Sequence, residues 1–339
     1  MNETDRRRPE PATPRRILRP RPLAVGDTVG LAAPAGPAEE AKVRAGIRVL
    51  EDMGLKCRVP PEVFEKKGFL AGTDRTRARV LRDLLLDPEI RAVFCTRGGS
   101  GSLRLLPLLG LDRLPGPPKI LVGFSDLTAL LLAVHHVAGW VPFHGPVVAS
   151  FASADQATSA HLADLLFGRK VFPLSLDQGH GVQVLVPGRA EGPLMGGNLT
   201  LLVHLIATPF RPNLEGAILF LEDAHEAPYR LDRMLTTLRL AGVLDRLAGL
   251  VLGSFEDCGP PDQVRRVLEM NLADFPGPVV ADFPIGHGTR NLALPIGPRA
   301  LLDTQAQVLD LLEPCLAEPG RGDRPVAPTR PEPDPCKKT

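Results

Sequence analysis

The chain is 339 residues long and 44% hydrophobic, which exceeds the roughly 100 to 200 residues of one domain and supplies enough apolar side chains for two cores. A formal net charge of +1 gives no broad field for a polyanion, so nucleic acid is excluded as the main partner and a small peptide or other small molecule is expected. No apolar run reaches the roughly 18 residues that cross a bilayer free of charges and breakers, so a soluble protein without membrane attachment is expected.

Residues 1–22 are rich in Arg and Pro and lack the apolar core of an export signal, which predicts a disordered arm on a cytoplasmic protein. From Val25 short β-rich runs alternate with amphipathic stretches. Strands are predicted over 28–33, 55–59, 92–96, 120–123 and 141–144, with helices over 38–53, 74–86 and 127–137. In the second helix Thr73 or Asp74 can cap the free N–H groups, and Val80, Leu81, Leu84 and Leu85 recur at helical spacing. This alternation predicts a doubly wound, mostly parallel α/β sheet of the flavodoxin or Rossmann type over 23–149.

Residues 150–189 mix a short helix with Pro, Gly and Asp and read as an interdomain linker. A second, smaller α/β domain is expected over 190–316, with strands over 217–221, 249–253 and 279–283 and helices over 199–206, 229–241 and 263–271. Residues 299–312 read as closing β structure, and 317–339 as a disordered tail. Five cysteines (Cys57, Cys95, Cys258, Cys315, Cys336) form no C-x-x-C pair, so neither a disulfide framework nor a zinc site is indicated. Cys95 sits in an apolar run, where a free thiol behaves as a small hydrophobe.

The segment from Lys119 to Leu132 passes from a buried strand through Gly123 into a helix and puts Ser125 at the sharp turn where a nucleophile elbow belongs. The amide of Asp126, at the helix start, is then a candidate oxyanion donor. The esterase elbow G-x-S-x-G is incomplete, with Leu127 at the second Gly, and a helix cap fits Ser125 equally well. Serine needs a base, and His287, in a Gly-flanked loop after a strand, is the best placed histidine. A surface histidine without a role fits that position too. His135 and His136 fall inside a helix, and His161, His180 and His204 have no readable functional neighbourhood. Glu222, where an apolar strand ends in two carboxylates, is the candidate orienting acid; alternatively Glu222 or Asp223 caps the next helix. Glu222, Asp223, His225 and Glu226 lack the H-E-x-x-H spacing, so no metal site is expected. Arg97-Gly98-Gly99-Ser100-Gly101 matches neither G-x-G-x-x-G nor a Walker motif. It can cradle an anion or, as preferred here, supply a second oxyanion donor from Gly98 or Gly99.

Between about Leu23 and Asp303 these residues stand in ordered blocks: Gly26-Asp-Thr-Val-Gly-Leu-Ala-Ala-Pro-Ala-Gly, Leu70-Ala-Gly-Thr-Asp, Asp87-Pro-Glu-Ile-Arg-Ala, Arg97-Gly-Gly-Ser-Gly, Gly123-Phe-Ser-Asp, Gly196-Gly-Asn-Leu, Leu221-Glu-Asp, Tyr229-Arg-Leu-Asp-Arg-Met-Leu and Gly286-His-Gly. In them the chain resembles the LD-carboxypeptidase and microcin-immunity serine peptidase family. The resemblance implies a Ser125-Glu222-His287 triad, oxyanion donors at Asp126 and Gly98-Gly99, a homodimer and a cleft between two domains, without a cofactor. It implies cleavage of murein tetrapeptides at an L,D bond to release D-alanine in peptidoglycan recycling. Arg97, Arg230 and Arg233 are candidate holders of the terminal carboxylate and fit equally as structural ion-pair partners, and Asn198 is a further candidate contact. The glycine loop departs from the family at Ser100, where an aromatic residue is usual. The alternatives are a microcin-immunity-type hydrolase of peptide-nucleotide or acylated amino acid conjugates, a noncatalytic protein that binds cell-wall peptides, and a nucleotide-binding oxidoreductase.

Overall fold

The computed structural model of the protein describes residues 17–114, 116–176 and 181–318. Its first strands are β1 (Thr28–Ala32), β2 (Lys56–Arg58), β3 (Ile90–Cys95), β4 (Ile120–Gly123) and β5 (Phe143–His144). Between them run α1 (Glu40–Asp52), α2 (Asp74–Leu86) and α3 (Thr128–Ala133). There follow α4 (Gln156–Leu166), β6 (Leu174–Ser175), β7 (Gln183–Val186), β8 (Arg189–Asn198), α5 (Leu199–Ile206), β9 (Ile218–Ala224), α6 (Pro228–Leu240), β10 (Gly249–Glu256), α7 (Pro261–Leu272) and β11 (Val279–Ala281). Short strands β12 (Leu294–Pro295), β13 (Arg299–Asp303) and β14 (Val308–Leu311) complete the described chain.

The first sheet has the order β2-β1-β3-β4-β5-β12, parallel through β5, with β12 antiparallel at the edge. This is the doubly wound order that opens a ligand crevice at the carboxyl ends of its strands. Alternate strand residues enter different cores. Val29, Leu31, Ala92, Phe94, Ile120 and Val122 pack with side chains of α1 and α4 on one face. Val93, Cys95 and Leu121 pack with α2 and α3 on the other. Burial on both faces is why these strands read as continuous apolar runs. Helix α2 begins as its sequence predicts, with the Thr73 hydroxyl accepting from the Thr76 N–H and Leu81 and Leu85 buried on one face.

The second sheet runs β6-β14-β13-β8-β9-β10-β11-β7 and holds eight strands against six in the first. β8 serves both of its halves: Arg189–Pro193 pairs antiparallel with β13, and Leu194–Asn198 pairs parallel with β9. The stretch 150–189, which its composition marks as a linker, contains α4 and two sheet strands. β6 and β7 form the two edges of the second sheet. Edge strands this short carry no alternating pattern, and their Pro and Gly neighbours imitate a loop. Helix α3 is buried at every residue, between the two sheets, with Leu127 and residues 129–134 in the same apolar cluster as Leu194, Leu199 and Phe220. Of the arm, Leu18 lies against the first unit, donating to the Gly139 carbonyl and accepting from Val141 N–H, while Arg19 bonds Glu313 and the Pro314 carbonyl and the Pro20 carbonyl accepts from Ala317 N–H. Residues 1–16 and 319–339, with Cys336, and also His180, lie outside the described residues.

Candidate active site

β4 stops at Gly123, Phe124 remains extended, and Ser125 turns the chain into a single 3-10 turn that continues as α3. Ser125 has φ of 62°, a left-handed conformation that costs a non-glycine residue about 1 to 2 kcal/mol. Such strain is characteristic of a nucleophile elbow, where it lifts the hydroxyl clear of the sheet. The missing second glycine is accommodated from below. A Cβ on Gly123 would sit 3.0 Å from the Cβ of Leu127, so the bare glycine makes room for the leucine.

The glycine loop after β3 is tied to this elbow. Ser102 N–H donates to Asp126 Oδ2 at 2.8 Å, and the Ser102 hydroxyl donates to the Asp126 carbonyl at 2.5 Å. Burial raises the Asp126 carboxyl pKa, while bonds from Ser102 and Gly101 oppose the rise. A Cβ on Gly98 would fall 2.9 Å from Ser125 Oγ and 3.4 Å from the Asp126 nitrogen, so only glycine lets the loop come this close. The Gly98 carbonyl accepts from Gly36 N–H at 2.9 Å, which turns the Gly99 N–H of the same trans peptide the opposite way.

His287 follows β11 in a loop held by two backbone anchors. Gly286 N–H donates to Asn291 Oδ1 at 3.0 Å and Gly288 N–H to Ser254 Oγ at 3.1 Å. Its Nε2 lies 3.0 Å from Ser125 Oγ, and its Nδ1 lies 2.6 Å from Oε2 of Glu222, near the end of β9. A carboxylate accepts at Nδ1, so the neutral ring carries its proton there and offers the Nε2 lone pair to the serine hydroxyl. Burial alone would depress the His287 pKa. The hydrogen bond and charge of Glu222, then Asp223 and Glu256, outweigh it and leave the value raised. Glu222 is fully buried, which pushes its carboxyl up against the opposing pull of His287. The Phe124 ring covers His287 at 4.9 Å between centroids. Below it His144 is completely buried, with no hydrogen-bond partner for either ring nitrogen among the described residues, and burial depresses its pKa to about 3, which keeps it neutral.

The sequence therefore brings Ser125, Glu222 and His287 from β4, β9 and the loop after β11 into one hydrogen-bonded chain. Neither carboxylate of the Glu222-Asp223 pair caps α6, whose N-cap is Ala227 without a side-chain bond. Asp223 instead accepts from Asn198 Nδ2, Thr200 N–H, Thr200 Oγ1 and Ala224 N–H at 2.8 to 3.0 Å, a brace between β9 and the start of α5. Composition alone gives no signal for this brace or for the Ser102 tether. Among the described residues no group of three or more His, Cys, Asp or Glu is arranged to hold a metal ion.

A cleft of about 380 Å³ opens on Ser125 and His287 and is lined also by Arg97, Gly98, Gly99, Asn198 and Glu226. Arg97 reaches the Pro37 carbonyl at 2.6 Å. The Asn198 amide is occupied by Asp223 and by the Leu201 N–H at the start of α5. Arg230 and Arg233 stand apart from the cleft lining, on the exposed side of α6, against the Tyr229 ring at 5.9 and 5.5 Å. A larger hollow of about 920 Å³, between residues 21–27 and 310–318, contains none of these side chains.

Comparison with known proteins matches residues 29–145 to the LD-carboxypeptidase N-terminal domain and residues 191–302 to the LD-carboxypeptidase C-terminal domain. A probable murein peptide carboxypeptidase of Bacillus subtilis (strain 168) is 36% identical over 293 residues, which span 84% of this chain and 92% of that protein. The wild-type apo structure of the microcin C7 self-immunity protein MccF superimposes with a TM-score of 0.82 at 27% identity, over 88% of this chain and all of that one. A muramoyltetrapeptide carboxypeptidase from Oxalobacter formigenes gives a TM-score of 0.72 at 30% identity, covering 84% and 97% of the two chains.

Proposed function

The chain belongs to the LD-carboxypeptidase family, and on that premise we propose that it is a serine carboxypeptidase releasing a C-terminal D-amino acid, D-alanine, from murein tetrapeptides. The observation that carries the reading is the continuous chain Glu222 Oε2, His287 Nδ1, His287 Nε2 and Ser125 Oγ, at 2.6 and 3.0 Å.

In this reading His287 takes the hydroxyl proton as Ser125 Oγ attacks the scissile carbonyl, and Glu222 stabilises the imidazolium. The oxyanion is met by the Asp126 amide and the Gly98-Gly99 segment. The C–N bond breaks as His287 returns the proton to the leaving amine, leaving an acyl ester on Ser125. Water, deprotonated by His287, then hydrolyses the ester and the serine recovers its proton. Arg97, the one Lys or Arg in the described cleft lining, holds the terminal carboxylate. The reading extends to a cytoplasmic homodimer in peptidoglycan recycling, with dimerisation checked by light scattering and location by cell fractionation. Among the described residues no helix is long and apolar enough to cross a membrane.

The test is D-alanine release from a murein tetrapeptide by the wild type and by Ser125→Ala. Release by the wild type and none by the variant is expected; equal release by both would refute the mechanism. A second reading, hydrolysis of an aminoacyl or peptidyl nucleotide, is favoured by the TM-score of 0.82 to the MccF structure. Turnover of an aminoacyl adenylate analogue in preference to the tetrapeptide would select it.

A further inference from the structure

The loop that carries His287 leaves β11 of the second sheet and closes on itself, with Leu292 N–H donating to the Pro284 carbonyl at 2.8 Å and Gly286 N–H to Asn291 Oδ1 at 3.0 Å. A displacement at its far end is therefore carried to His287. That far end is gripped by α4. Arg290 Nε donates to Asp155 Oδ2 at 2.7 Å, Asn291 N–H donates to Thr158 Oγ1 at 3.2 Å, and His161 Nε2 donates to the Ala293 carbonyl at 2.9 Å. Asp155 is the N-cap of α4, and Thr158 and His161 follow at intervals of three on the same side of the helix. Thr158 and Asn291 are buried, so loss of the Thr158 hydroxyl would strand the Asn291 N–H away from water.

The hold of α4 on the fold comes from its other side. Leu162, Leu165 and Leu166 are buried in the core that also takes Ile120 and Val122 of β4, the strand that runs into Ser125. Helix α4 is thus fixed by apolar residues to the unit that carries Ser125, and by polar ones to the loop that carries His287. The other contacts near the ring come from the second sheet: Glu222 of β9 bonds His287, and Ser254 of β10 bonds Gly288 N–H. Together with the pairing of β12 to β5, α4 supplies the tie to the first sheet. We propose, on the triad reading of the site, that Asp155, Thr158 and His161 are positioning residues through which α4 sets the reach of His287 toward Ser125. They stand outside the described cleft lining and act through the loop. The distance they guard is the 3.0 Å between His287 Nε2 and Ser125 Oγ, where a misplacement of about 1 Å costs about 10²-fold in rate. A helix that only braced the fold would change stability and leave the folded enzyme as fast as before.

The experiment compares the wild type with Thr158→Val, Thr158→Ser and Asp155→Ser, well below the unfolding temperature. It reads the rate at which a fluorophosphonate probe labels Ser125, kcat and KM for D-alanine release, and the urea midpoint. Thr158→Val keeps the side-chain shape and deletes the acceptor, and Thr158→Ser keeps the acceptor. Asp155→Ser keeps an N-cap but loses the reach to Arg290. Thr158→Val is expected to lose about 10- to 100-fold in labelling rate and in kcat with KM kept, and Thr158→Ser to retain most of both. Asp155→Ser should lose about 3- to 10-fold, and because this pair is partly exposed it decides the matter if Thr158→Val does not fold. A lowered urea midpoint with labelling and kcat intact overturns the proposal, as does an equal loss in Thr158→Ser and Thr158→Val. Wild-type labelling at a rate the variants share leaves the triad standing and removes only the role of α4. A wild type that neither takes the probe nor releases D-alanine removes the triad reading and this role with it.

Discussion

Glu222→Gln separates the charge of the orienting residue from its geometry. Oε2 of Glu222 reaches His287, at 2.6 Å, and Oε1 has no hydrogen-bond partner among the described residues. Glutamine can therefore keep an oxygen at Nδ1 and put its amide nitrogen in the unpartnered position, which preserves the tautomer. What is lost is the attraction between carboxylate and imidazolium as the serine proton is transferred. With about 4 Å between the charge centres and an effective dielectric of about 20, that attraction is about 4 kcal/mol, or about 10³ in rate. The assay is kcat/KM for D-alanine release, with thermal unfolding run in parallel. The acid limb of the pH profile should move as well. His287 must be neutral to accept a proton, and its pKa is raised, chiefly by Glu222 against the effect of burial. The wild-type profile should therefore rise with pH through a midpoint above the ordinary histidine value of about 6.5, and the variant's midpoint should shift to lower pH. A loss below about tenfold, or an acid limb that stays in place, would refute the assignment of Glu222 as charge partner.

Ser125→Ala should lose turnover by at least about 10⁴-fold with little change in the urea midpoint, because the side chain is small and its hydroxyl, among the described residues, hydrogen-bonds only His287. Gly98→Ala puts a methyl group 2.8 Å from Ser125 Cβ and should cost about 10² to 10³ in kcat/KM, with far-UV circular dichroism unchanged. Ser102→Ala removes the buried hydroxyl that donates to the Asp126 carbonyl, and urea denaturation should report a loss of about 1 to 2 kcal/mol. Thr200→Val deprives Asp223 of one of its donors and should destabilise by a similar amount on the same measurement.

Ser125, Glu222 and His287 are legible because each lies where an apolar strand gives way to a polar or Gly-flanked turn, and that local contrast survives in one dimension. On local pattern, however, Ser125 was equally a helix cap, and the ordered family blocks separated the two readings. Long-range contact is what the sequence conceals. No strand is predicted over β8, because Gly192, Pro193, Gly196 and Gly197 break its pattern. In the fold a Cβ on Gly192 would fall 1.9 Å from the Gly216 carbonyl oxygen, and one on Gly197 would fall 2.6 Å from Thr128. Those glycines record how closely β8 approaches its neighbours, and their partners lie far away in sequence.

The approach of β8 is also what joins the two halves of the site. Asn198 N–H donates to Thr128 Oγ1 at 2.9 Å, which pins the end of β8 to the first residue of α3, three positions after Ser125. On the other side of β8, Asn198 reaches through Nδ2 to Asp223, the residue next to Glu222. Ser125 follows a strand of the first sheet and Glu222 lies in a strand of the second, yet both are referred to one residue at the end of β8. Their alignment through His287 therefore depends on burial of α3 between the sheets as much as on the three side chains themselves. A loosened β8 should accordingly lower activity before it lowers global stability. Asn198→Ala, which deletes the Asp223 contact and the α5 cap while keeping the backbone bond to Thr128, should reduce kcat/KM at temperatures well below the unfolding midpoint. Parallel losses of activity and secondary structure on heating would mean that β8 has no separate role in holding the site together.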